Sequence, residues 1–195
     1  MKNGQVQVKR PSSEQIEREL RRRELAAEVN KTVFKAIKTL IVFAAAAVLL
    51  ATLLFPTVQV QRGSMLPTLH DGEQIILITV GGIHRGDIVA FHLGNQTMLK
   101  RVIATAGETV TIDEDGTVYV DGEPINEPYI QGKSIGECDI EFPFIVPDKQ
   151  FFVMGDNRTP SMDSRLKEFG TIHKDVIIGK TILRIWPLAR VGIVK

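Results

Sequence analysis

The seventeen residues TLIVFAAAAVLLATLLF, Thr39 to Phe55, carry no charge, and they constrain the fold more than any other stretch of the chain. As an α-helix they cover about 25 Å at roughly 1.5 Å per residue. That is the short end of what crosses a bilayer core. Lys35 and Lys38 stand just before the run and can snorkel, so Val33, Phe34 and Ile37 lengthen its apolar part. Pro56 ends it. A buried core helix would rarely be apolar on every face. A cleaved leader has a short head and an apolar core of about 7–15 residues, whereas here 38 residues precede a longer core. Residues 39–55 therefore read as an uncleaved transmembrane helix.

Charge divides around this span. Residues 1–38 hold 10 Lys+Arg against 5 Asp+Glu, and the remainder holds 14 against 18. The basic segment, 1–38, is expected in the cytoplasm by the positive-inside rule. Residues 56–195 then form an extracytoplasmic domain of a single-pass plasma-membrane protein. Residues 1–11 read as a polar, disordered lead-in. From Ser12 to Lys38 the pattern is helical, with Ser12 and Gln15 spaced for a capping box. Glu17, Glu19 and Glu24 mix with Arg18, Arg21, Arg22 and Arg23, which suits a solvated charged helix or attraction to an anionic membrane face.

Beyond the span the pattern changes to strands. EQIILITV and GDIVAFHL are short apolar runs between glycine turns, and ETVTIDEDGTVYVDG alternates around Asp115-Gly116 as a hairpin. QFFVMGDN, VIIGKTILRIWP and RVGIVK add further strands. A mainly-β domain of about 140 residues follows.

Several chemistries lack their residues. One cysteine, Cys138, permits no intramolecular disulfide and no cysteine-based metal site. His70, His84, His92 and His173 are scattered without ligand spacing. DEDG at 113–116 lacks the carboxylates that a calcium loop needs at Thr111 and Gly122, and reads as a turn. The triplets at Asn95 and Asn157 match a glycosylation acceptor, a pattern common by chance. No nucleic-acid partner is expected. Nothing in the sequence bears on the oligomeric state.

Three stretches remain. In QRGSMLPTLHDG, Ser64 is either a nucleophile or a turn serine. With no histidine partner in view, a neutral lysine is the available base. Free lysine is neutral in only about one copy in 2,500 at pH 7, and apolar burial raises that share. Lys100, in TMLKRVIATAG, ends an apolar run. Strand alternation would turn it inward and Arg101 to solvent; from the pattern alone a capped strand-end lysine is the plainer reading. VMGDNRTPSMDSR packs Asp156, Asn157, Arg158, Ser161, Asp163, Ser164 and Arg165 after an apolar strand. That is more than a turn requires, and suits a hydrogen-bonded scaffold.

Together these stretches resemble the bacterial type I signal peptidases, which cut signal peptides from exported proteins. GSMLPTL is similar to the family's serine box, LKRVIATAG to its lysine box and MGDNRTPSMDSR to its third box, in the family's order behind one span. GDIVAFH and ILRIWPLARVG also look familial. The resemblance implies a signal-peptidase-like β-sheet or barrel catalytic domain and a serine endopeptidase of the compact Gram-positive type. It implies Ser64 as nucleophile and Lys100 as general base. Ser161 would orient the lysine, Asp163 and Arg165 would support it as an ion pair, and Asp156, Asn157 and Arg158 would form the core of the box. The implied partners are signal peptides of secreted preproteins and membrane lipid, with no metal or cofactor. An alternative is an inactive anchored β domain that binds exported peptides. A soluble, DNA-linked Ser/Lys regulator on a similar fold is at odds with the span. Three places depart from the family: Arg62 stands where glycine or serine is usual, ATAGE replaces a Gly-Leu-Pro-Gly-Asp-like run, and LKE is inserted after DSR. With Arg62 there, any second oxyanion donor at that position would have to be its backbone.

Overall fold

The computed structural model describes residues 12–194; the polar lead-in read over 1–11 lies outside them. The chain divides into two compact units after Leu50. The first holds residues 13–50 of α1, a continuous helix over Ser13–Leu54. Its start is the expected capping box: the Ser12 N–H donates to Gln15 Oε1 at 3.1 Å, and the Gln15 N–H donates to Ser12 Oγ at 3.4 Å. None of its residues is buried. By length and composition it is apolar enough to cross a membrane.

The second unit is β-rich. Its strands are β1 (Thr57–Gln59), β2 (Gln74–Ile78), β3 (Ile88–Leu93), β4 (Gln96–Thr105), β5 (Thr109–Ile112) and β6 (Val118–Val120). They continue as β7 (Glu123–Pro124), β8 (Phe144–Ile145), β9 (Gln150–Met154), β10 (Ile172–His173), β11 (Ile177–Trp186) and β12 (Gly192–Ile193). The larger sheet runs β1-β2-β11-β3-β4-β9-β10, with β12 on β11, and the smaller runs β7-β6-β5-β8. The pairs are antiparallel throughout.

Local chemistry explains the elements that carry the site. β3 and β4 form a hairpin that pairs Leu93 with Gln96 across Gly94-Asn95, a two-residue turn that favours such residues. Residues 100–104 of β4 are buried in succession, as in a strand covered on both faces. β5 and β6 place Val110, Ile112, Val118 and Val120 in one apolar cluster with Phe152 and Met154. The turn between them is self-satisfied: the Asp113 and Asp115 carboxylates accept the Thr117 N–H at 2.7 and 2.9 Å. A second cluster joins Met65 and Leu69, from the loop between β1 and β2, to Val60, Ile75, Leu77 and Ala90. A third packs Val89, Phe91, Val102 and Val153 with Phe169, whose ring meets Phe91 edge-on.

Candidate active site

The loop carrying Ser64 is fastened from below. Met65, next in the chain, is 1% exposed and Leu69 fully buried. The Leu69 N–H closes a turn onto the Met65 carbonyl at 2.8 Å. With these apolar side chains plugged into the core, half-buried Ser64 is held at the surface of the body. Asn157 grips the same loop from across the fold. Its N–H donates to the Ser64 carbonyl at 3.0 Å, and its side-chain amide donates to the Gly63 carbonyl at 3.1 Å.

Lys100 reaches the site from the middle of β4. It lines a cleft of about 300 Å³ together with Ser64, Gly63, Met98, Pro160 and Met162. Its ammonium donates to Ser161 Oγ at 2.9 Å. Burial pushes the amine from 10.5 down to about 8; the nearby Asp163 and Asp156 charges resist the fall, and Arg165 adds to it. At pH 7 about one copy in ten is then neutral, against roughly one in 3,000 at the ordinary value. Among the described residues the Ser64 side chain makes no hydrogen bond, so Lys100 is parked on Ser161 rather than on Ser64. Free enzymes often tighten such contacts only around substrate.

Ser161 and Asp163 are held by a buried scaffold. Arg165 forks onto Asp163 with bonds of 2.8 and 2.9 Å and donates one bond each to the Ile135 and Arg158 carbonyls. Burial, the largest single influence, would raise the Asp163 carboxyl; the Arg165 guanidinium, the Ser161 hydroxyl and the Gly155 N–H together hold it below the ordinary value. Ser164 ties the box to β9, its N–H donating to the Val153 carbonyl and its Oγ accepting the Val153 N–H, both at 3.0 Å. Gly155 permits the close approach of box and loop. A Cβ there would lie far inside contact distance of Ser161 Oγ and the Ser64 carbonyl.

Asp156 and Arg158 face away from the cleft and brace it. Asp156 accepts two bonds from Arg101, at 2.8 and 2.7 Å, and one from the Thr68 hydroxyl of the Ser64 loop. Arg158 pairs with buried Glu127 and donates to the Gly155 carbonyl. Thus all eight residues read from the three boxes converge. Arg101 is the exception to the strand-alternation reading: it is 2% exposed, not turned to solvent. It does leave Lys100's face, but that second face is covered by Asp156 and by Tyr129, whose ring lies 3.9 Å below the guanidinium. Thr68, Glu127 and Tyr129 were not legible as site residues. Thr68 sat inside a recognised box, while Glu127 and Tyr129 lie in a loop with no periodicity. Arg62 differs from expectation too. Its N–H donates to Asp71 Oδ1 at 2.7 Å, so that donor is already taken.

Residues 33–186 match the family described as signal peptidase, peptidase S26. The chain is 34% identical to signal peptidase I of Bacillus licheniformis, over 84% of this chain and 94% of that one. It is 38% identical to signal peptidase IB of Staphylococcus aureus (strain COL), over 65% and 75%. A solved signal peptidase I from Enterococcus faecalis V583 is 29% identical, covering 52% of this chain and 98% of that one with a TM-score of 0.45. The family match over residues 33–186 and the Bacillus relative agree with the three boxes around the cleft: the chain belongs to the S26 signal peptidase family.

Proposed function

We propose that this signal peptidase removes signal peptides from exported preproteins with Ser64 as nucleophile and Lys100 as general base, held at the membrane by α1. The carrying observation is a lysine whose amine burial lowers to about 8, lining one cleft with a serine that has no side-chain partner among the described residues. Neutral Lys100 leaves Ser161 and accepts the Ser64 proton as Oγ attacks the scissile carbonyl. The tetrahedral oxyanion is met by the Ser64 N–H, which has no protein acceptor among the described residues. Protonated Lys100 then passes its proton to the leaving amine, and the C–N bond breaks. Water attacks the resulting ester, giving its proton to Lys100, and Ser64 regains a proton as the signal peptide departs as a carboxylate. Asp163 and Arg165 support Ser161, while Asp156, Asn157 and Arg158 hold the Ser64 loop against the box.

The segment before the span lies in the cytoplasm and the β-rich body outside, in line with the basic excess of residues 1–38. Anchoring keeps the site near its membrane-bound substrate and raises the effective concentration. The test is incubation of the full chain and its Ser64→Ala and Lys100→Ala variants with a preprotein, followed by product masses. Cleavage is expected only from the unsubstituted chain. Undiminished cleavage by either variant overturns the assignment.

A further inference from the structure

Seven arginines lie in the β-rich unit, and six have a carboxylate within 4.0 Å: Arg85, Arg101, Arg158, Arg165, Arg184 and Arg190. The seventh is Arg62. Its side chain is exposed and makes no ion pair or hydrogen bond among the described residues. It lines the cleft with Ser64 and Lys100, and no carboxylate lines that cleft. Its backbone is left-handed, at φ 68, where a side chain costs about 1–3 kcal/mol and glycine nothing. The Asp71 carboxylate clamps its N–H at 2.7 Å and so keeps the residue in that conformation. A cation is therefore held, at a cost to the backbone, two residues from the candidate nucleophile, and among the described residues its guanidinium has no carboxylate within 4.0 Å.

We infer that Arg62 is a specificity-determining residue that pairs with an acidic side chain of the substrate close to the scissile bond. The inference rests on Ser64 being the nucleophile, since that places the substrate in this cleft. A lysine at the same substrate position would meet both Arg62 and, while protonated, Lys100, and would be disfavoured. The guanidinium is too exposed to act as a buried ion pair, so the effect on kcat/KM is at most about fivefold for one charge, and larger for Asp against Lys, where attraction is exchanged for repulsion.

The experiment uses the detergent-solubilised full chain and a set of preproteins carrying Asp, Asn or Lys singly at each of the three positions before and after the cut. The readout is the Asp-to-Lys ratio of kcat/KM at each position. At one position, or two adjacent ones, the ratio should exceed about five, fall toward one in Arg62→Gly and Arg62→Gln, and drop below one in Arg62→Glu. Glycine accepts φ 68 freely, so the Arg62→Gly variant keeps the loop. High salt should shrink the ratio in the unsubstituted chain. Ratios that no substitution changes overturn the inference, including the case in which every substrate slows equally. So does a loss confined to anionic vesicles and absent in detergent, which would assign the guanidinium to lipid headgroups. Cleavage that persists in Ser64→Ala would instead overturn the nucleophile assignment, and the inference with it.

Discussion

Replacing Lys100 by methionine should abolish activity and yet stabilise the fold at neutral pH. Methionine keeps the length and apolar stem of the side chain and deletes its charge. The lysine amine falls from 10.5 to about 8 on burial, which at about 1.4 kcal/mol per pH unit is a penalty of about 3 kcal/mol for carrying the proton into the folded state. Loss of the Ser161 bond returns about 1 kcal/mol. The net gain for Lys100→Met is about 2 kcal/mol at pH 7. Its pH dependence has a definite sign. Below pH 8 both folded and unfolded lysine are protonated and the penalty is complete. Between pH 8 and 10.5 the unfolded chain binds the proton and the folded chain does not, so the unsubstituted protein gains stability as pH rises. The advantage of the variant should therefore shrink and reach zero near about pH 10. Urea unfolding of the full chain in detergent, followed by Trp186, the only tryptophan, measures this. A variant less stable than the original at pH 7, or a gain that is equal at pH 7 and pH 10, would refute the reasoning.

Two other outcomes follow from the same geometry. With chemistry limiting, kcat/KM should rise about tenfold per pH unit below 8 and level off above it, because in the proposed mechanism only neutral Lys100 accepts the Ser64 proton; a profile flat from pH 6 to 8 would exclude a lysine base. Gly155→Ala should reduce preprotein cleavage by about a hundredfold or more, since its methyl must push Ser161 or the Ser64 loop aside; near-normal rates would mean that their close approach is dispensable.

Most of the site was legible because its residues sit in short, chemically crowded stretches. Ser64 lies in a turn, Lys100 at the end of an apolar run, and Asp163 and Arg165 in a dense polar stretch; the resemblance supplied the roles that these patterns left open. The hairpin of β5 and β6 was legible from period-two alternation around Asp115-Gly116. What escaped depends on packing between distant segments. Alternation correctly moved Arg101 off Lys100's face, yet it could not reveal that Tyr129 and Asp156 cover the other face. Glu127 and Tyr129 became visible only through Arg158 and Arg101. β7, β8 and β10 are two residues each, too short for any periodicity. The Arg62 N–H was open to an oxyanion until Asp71, nine positions on, was found to hold it.

The insertion of β11 between β2 and β3 has a consequence for the newly made chain. As residues emerge in order, β2 and β3 wait with open edges until residues 177–186 arrive to join them. Residues 155–165, which fasten the Ser64 loop and seat Lys100, are also late. The polypeptide is thus biosynthetically latent: nearly all of it must be delivered before any catalytic power appears. A chain halted short of Ile177 would be sticky at its exposed strand edges and would leave neighbouring polypeptides uncut.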